Sequence, residues 1–166
     1  MQKTDLVTLY DYNYWANRRI LDTAELLAAE QLAAPAPFPH GGVLSTLVHT
    51  VSAEWAWRQR CQEGVSPTGL LDAGRFATLA ELRAFWDEEE RLMRAYMAGL
   101  SSEALAAPVH YKSTAGQPFQ NILWQILAHV VNHGTQHRGE VAAMLTGYGH
   151  SPGDIDLIVY ARQQSL

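Results

Sequence analysis

The sequence predicts an all-α fold, a four-helix bundle closed by a short C-terminal helix. Three observations carry this reading. Four long segments place apolar residues at helical spacing, and stretches rich in Pro and Gly separate them. The chain of 166 residues suits one domain over 1–166, long enough to bury a substantial core. A hydrophobic fraction of 48% against 17% charged residues excludes a disordered chain.

The first helix is expected from about Asp5 to Ala29, with Leu6, Leu9, Tyr10, Ala16, Ile20, Ala24 and Leu27 on one stripe. Asn13 and Asn17 lie on that stripe too, and inward polar side chains need partners. The run APAPFPHGG ends this helix. A second helix starts near Val43 and stops before Gly64, on the stripe Leu44, Leu47, Val48, Val51 and Trp55. Val65 to Phe76 reads as irregular. Thr78-Leu79-Ala80-Glu81 is a capping-box pattern that opens a third helix, with Leu79, Leu82, Trp86, Met93 and Met97 on one face. Pro108 to Pro118 reads as a loop or small hairpin. The fourth helix is expected from about Phe119 to Leu145, stopped by Gly147 and Gly149, and a closing helix from Asp154 to about Arg162.

Several function classes drop out. The net charge is -5 and the Lys and Arg residues are scattered, so no basic surface for nucleic acid is prepared. The N-terminus lacks the apolar stretch of a signal peptide, and the longest apolar run, Ile122 to Val131, is too short to span a membrane. A cytoplasmic location is the expectation. The single cysteine, Cys61, excludes an internal disulfide and a Cys-rich zinc site, and a lone helical cysteine is read as packing. The five Trp residues read as core or interface.

The chemistry lies in the seven histidines. His40, His110 and His150 fall in segments expected to be loops or a hairpin, and are read as solvated side chains. His129, His133 and His137 are spaced by four, which puts them on one face of the fourth helix, about 6 Å apart along its axis. Ile122, Ile126, Glu140 and Met144 continue that stripe, so it points inward. Three imidazoles facing a core need partners, and a metal ion serves neutral imidazoles well. No Glu follows His129 or His133, so the metalloprotease pattern is absent. His129 and His137 lie about 12 Å apart on the axis, too far for one ion. The helix therefore supplies one adjacent pair, and spacing alone permits either His129 with His133 or His133 with His137. His49, with Ser45, Ser52 and Ala53 around it at helical spacing, is the natural donor from another element. Three imidazoles without thiolate leave an open coordination position, as catalytic sites do.

HVVNHGTQHRGEV, from His129 to Val141, resembles the signature of the DinB-like (YfiT-like) family of small metal-binding four-helix-bundle proteins. DYNYWANRRIL, LVHTVSAEWAWRQR and SPGDIDLIVYAR resemble its other segments, in order along the chain. The resemblance implies a divalent metal ion held by His49, His133 and His137. Zinc or nickel is expected first, with iron or manganese also suited to imidazole. The polar turn of Gly134, Thr135, Gln136 and Arg138 favours the same pair over the Val130–Val131 turn beside His129, leaving His129 inward but uncoordinated. Relatives often carry Gln where this chain has Glu140, which can orient His137, pair with Arg138 or add a ligand. The implied function is a metal-dependent enzyme of the low-molecular-weight-thiol S-transferase type, acting on a small molecule. A metal-dependent hydrolase and a non-catalytic metal-binding stress-response protein are the alternatives. Members of the family are often dimeric, so a homodimer is expected.

Overall fold

A computed structural model describes residues 1–164. Its elements are α1 (Lys3–Ala24), α2 (Ala29–Ala33), α3 (Val43–Arg58), α4 (Leu79–Ala98), α5 (Ser102–Ala106), β1 (Pro108–Lys112), β2 (Pro118–Ile122), α6 (Leu123–Gly147) and α7 (Leu157–Gln164). A π turn over Gln59–Glu63 extends α3, and a 3₁₀ turn over Ala73–Arg75 precedes α4.

The four long helices are α1, α3, α4 and α6. Each of α1 and α3 packs against both α4 and α6, so these two consecutive long helices stand at opposite corners. Contacts fix the directions. Tyr10 meets Leu127 while Asn13 and Asn17 meet Arg138, so α1 and α6 run parallel. Glu54 meets Trp86 and Arg58 meets Glu89, so α3 and α4 also run parallel. His49 meets His133 while Trp57 meets His129 one turn earlier, so α3 opposes α6. The bundle is thus up-down-down-up. Its α3–α4 crossover is the irregular segment, pinned where the Leu71 amide donates to Ser52 Oγ at 2.6 Å.

Local chemistry explains the boundaries. The Gln2 amide donates to Asp5 at 2.8 Å and starts α1. The α1 helix ends at Ala24, short of the expected Ala29, because Leu27 turns into the core and the Ala28 amide donates to Gln31 to start α2. Thr78 Oγ1 accepts from the Glu81 amide at 3.2 Å and opens α4 where the capping pattern placed it. The all-α expectation is approximate. Pro108–Lys112 and Pro118–Ile122 pair antiparallel, with Tyr111 opposite Phe119. Phe119 to Ile122 therefore belong to a strand, and α6 begins at Leu123 rather than Phe119. The closing helix begins at Leu157, since Gly153 at φ +74° and the Asp154 side chain form a turn first.

Two apolar clusters fill the ends of the bundle. One gathers Ile20, Leu47, Val48, Leu82 and Leu145; the other gathers Leu6, Tyr10, Met93, Leu127 and Val130. Between them runs a polar waist holding Asn17, Glu54, Glu89, Arg138 and the histidines of α3 and α6.

Candidate metal centre

The α6 helix carries different chemistry on two faces at the waist. Toward α1 it presents Arg138, which donates through Nη1 to Asn13 Oδ1 and, at 2.8 Å, to Asn17 Oδ1. Its Nη2 donates to Thr135 Oγ1 at 2.8 Å, and its guanidinium lies 5.3 Å from the Tyr12 ring. Asn13 and Asn17 are thus buried partners of this arginine. Gly134 makes the approach fit, because a Cβ there would lie 2.8 Å from Arg138 Nη1 and 2.9 Å from Asn13 Oδ1. The network sets the rotation of α6 about its axis.

That rotation turns His133 and His137 toward α3. His133 Nε2 lies 3.2 Å from His49 Nε2 and 3.1 Å from His137 Nε2. His137 Nδ1 donates to Glu140 Oε2 at 2.8 Å, so its Nε2 carries the lone pair that faces the other two rings. Glu140 therefore orients His137; Arg138 bonds elsewhere. Burial, then the neighbouring His40 and His137 imidazoles, hold His49 at a pKa of about 4. Burial and four neighbouring imidazoles hold His133 at about 3. His49 and His133 are therefore neutral at pH 7, the form in which an imidazole ligates a metal ion. Ligand nitrogens in a tetrahedral site stand about 3.3 Å apart at the usual metal–nitrogen length. The two measured spacings match.

Two readings from the sequence change. His40, expected in solvent, is half-buried and stacks on His49 with ring centroids 3.5 Å apart. His40, His49 and His137 also have donor atoms within 4.8 Å of one another, so the loop histidine joins the cluster. Gly42 holds this loop down, since a Cβ there would come within 1.9 Å of the Ala34 carbonyl oxygen. The Gly41-Gly42 pair after His40 was the available signal. His129, expected to face inward, is exposed, with its ring edge-on to Trp57 at 5.6 Å. Its ring centre is 5.6 Å from that of His133, against 4.4 Å between His133 and His137. His110, by contrast, is exposed on β1, as expected.

A groove of about 340 Å³ opens beside His49 and His133. Ala53, Trp57 and Arg60 from the α3 side line it, and Tyr111 and Phe119 of the hairpin cover it. Trp57 and Tyr111 meet edge to face at 4.9 Å. A second recess of about 300 Å³ lies on the other side of these two rings, against His129 and Gln125. Among the described residues, no carboxylate lines either recess. Cys61 lines neither, and burial pushes its thiol up to about 12, so it stays protonated.

Comparison with known proteins agrees with this architecture. The DinB family model matches residues 1–165. Protein DinB of Bacillus subtilis (strain 168) is 27% identical over 158 residues, covering 92% of each chain. YfiT from Bacillus subtilis, a solved structure described as a probable metal-dependent hydrolase with an unusual four-helix bundle topology, superposes with a TM-score of 0.66 at 13% identity. That superposition covers 91% of both chains. At that identity the likeness concerns the fold.

Proposed function

This chain belongs to the DinB family, and we propose that it is a metal-dependent enzyme whose divalent ion is held by His49, His133 and His137. The observation that carries the reading is the convergence of three imidazole Nε2 atoms, His133 lying 3.1 and 3.2 Å from the other two, backed by Glu140 on His137. The carboxylate fixes the His137 tautomer and strengthens its donor nitrogen. Bound there, a divalent ion supplies Lewis acidity that lowers the pKa of a thiol or water in its open position.

Thiol transfer is the reaction we place first. A thiol, already acidic near pH 8.5, needs no separate base beside such an ion. The groove accordingly offers aromatic walls and a cation and no carboxylate among the described residues. Trp57, Tyr111 and Phe119 would hold the organic part of a small substrate and keep water from it. Hydrolysis is the second reading. It draws on His40, whose burial keeps it neutral and able to accept a proton from water, and on the description of YfiT.

The experiment is a conjugation assay of an electrophile with bacillithiol, mycothiol and glutathione, with and without added metal. Metal-dependent conjugation supports the first reading. Turnover of an ester or amide panel alone gives hydrolysis. Silence in both panels favours the non-catalytic metal-binding role. Elemental analysis of protein purified without added metal names the ion. The same proposal includes a homodimer, drawing on apolar surface left at Met1, Leu157 and Ile158. Light scattering at micromolar concentration that gives a monomer mass rejects the dimer.

A further inference from the structure

Among the described residues three arginines are buried, and their partners differ in kind. Arg58 forms a two-pronged pair with Glu89 at 2.8 and 2.9 Å. Arg138 has the oxygens of Asn13, Asn17 and Thr135. Arg60 is 7% exposed, yet its hydrogen bond is one from Nε to the Lys112 carbonyl at 3.3 Å. Its guanidinium instead lies against two ring faces, Trp57 at 4.6 Å and Tyr111 at 5.7 Å. Among the described residues no carboxylate comes within ion-pair range of it.

A guanidinium cannot shed its proton at physiological pH, so burying it without an anion costs stability that stacking recovers in part. The cost is retained at a telling place, because Arg60 lines the same groove as His49 and His133. Arg60 sits in the π turn that extends α3, and the groove brings it into line with His49. Its guanidinium reaches back over the ring of Trp57, three residues earlier, which lines the same groove as the histidines. The wall between the two ends is Ala53 and the Trp57 ring, with Tyr111 and Phe119 above. One end is thus cationic, the middle aromatic and the other end a cluster of metal-ligating nitrogens.

We propose that Arg60 is an anion subsite, and that the groove takes a small molecule with a carboxylate at one end, an apolar or aromatic body, and its reacting group at the histidine end. The inference deepens the proposed function and rests on it only for what happens at that far end. A single planar guanidinium matches a carboxylate in two parallel hydrogen bonds. The groove volume is that of a small ligand.

The probes are hippurate and its neutral amide, hippuramide, which share an aromatic body and differ in the charge Arg60 would read. Each is titrated into the full chain as purified, with metal content measured, and again after zinc loading. The indole N–H of Trp57 and the Nε–H of Arg60 are followed by NMR. Hippurate is expected to bind about tenfold more tightly than hippuramide or better, shifting both signals. R60Q should bring the two affinities together while leaving metal content unchanged, and R60K should keep part of the preference. The wild-type Arg60 signal reports directly even if a variant folds poorly. No binding of hippurate, equal affinities, or a preference that survives in R60Q would overturn the proposal. Loss of metal binding alone would strike the proposed function and leave this result standing.

Discussion

The two polar faces of α6 are built from similar materials to opposite ends. Toward α1, both Nη groups of Arg138 are closed off by the oxygens of Asn13, Asn17 and Thr135. Toward α3, His133 and His137 meet His49 with lone pairs converging, and the face stays open to a groove. The comparison shows how a small bundle builds a site. One face spends its hydrogen bonds on fixing a helix rotation, and the other inherits rigid donors with unmet valence. Glu54 belongs with the closed face, accepting from Tyr14 Oη across the bundle and from Trp86 Nε1 at 3.3 Å.

The largest effect should come from emptying the open face. Replacing His133, His49 or His137 with Ala should each remove most of the bound divalent metal, read by elemental analysis, whereas His129→Ala should keep it. An empty site in His129→Ala with a loaded one in His137→Ala would put the ion one turn higher on α6.

The next effect lies on the closed side. Burial raises the Glu54 carboxyl to a pKa of about 7, despite hydrogen bonds from Tyr14 and Trp86 that pull it down. Between pH of roughly 4.5 and 7 the folded chain keeps a proton that the unfolded chain has released. Stability should therefore fall as pH rises through this window, by at most roughly 3 kcal/mol from this group. The lowered histidines act in the opposite sense from their folded values of about 3 and 4 up to 6.5, which overlaps this window, so the quantity to measure is a difference. Denaturant melts of the wild type and Glu54→Gln at stepped pH should diverge across the window. Parallel curves would show that Glu54 is ionised in the fold.

A smaller effect tests the support of the open face. Glu140→Gln leaves an oxygen that can still accept from His137 Nδ1 but removes the charge, and should weaken metal binding about 10–100-fold. Competition with a graded chelator reads this directly; unchanged affinity would make Glu140 a bystander.

The smallest effect couples the two faces. Gly134→Ala forces Arg138 or Asn13 to move and should cost about 1–2 kcal/mol, the usual penalty for a disturbed buried hydrogen bond. Metal should still bind, but more weakly, because the rotation of α6 is no longer held. Full affinity at lowered stability would show that the faces are independent.

Much of this was legible in residue spacing. The His133–His137 spacing of four puts both rings on one face whatever the surroundings, because the helix period is local. The same period placed α4 from its Thr78 cap and the inward stripe carrying Asn13 and Asn17. His129 was misread because it shares the stripe but lies a turn nearer the start of α6, where α3 presents the edge-on ring of Trp57 and leaves His129 at the surface. His40 was misread because a loop has no period, and its position depends on Gly42 pressing against Ala34. Phe119 to Ile122 were read as helix because pairing with β1 is a contact at a distance that local pattern does not report.

The amino-acid sequence by itself determined the long helices, the apolar faces, and the presence of a histidine face with an acidic neighbour, since each follows from interactions within a few residues. Tertiary structure alone decided that α1 and α3 stand at opposite corners, that α6 is rotated by Arg138, and that a loop histidine joins the cluster. It also decided that Arg60, one scattered basic residue among twelve Lys and Arg, is buried beside the site without a carboxylate partner among the described residues. Those outcomes depend on which surfaces meet across the bundle, and desolvation and lone-pair direction take their values only once the helices have packed.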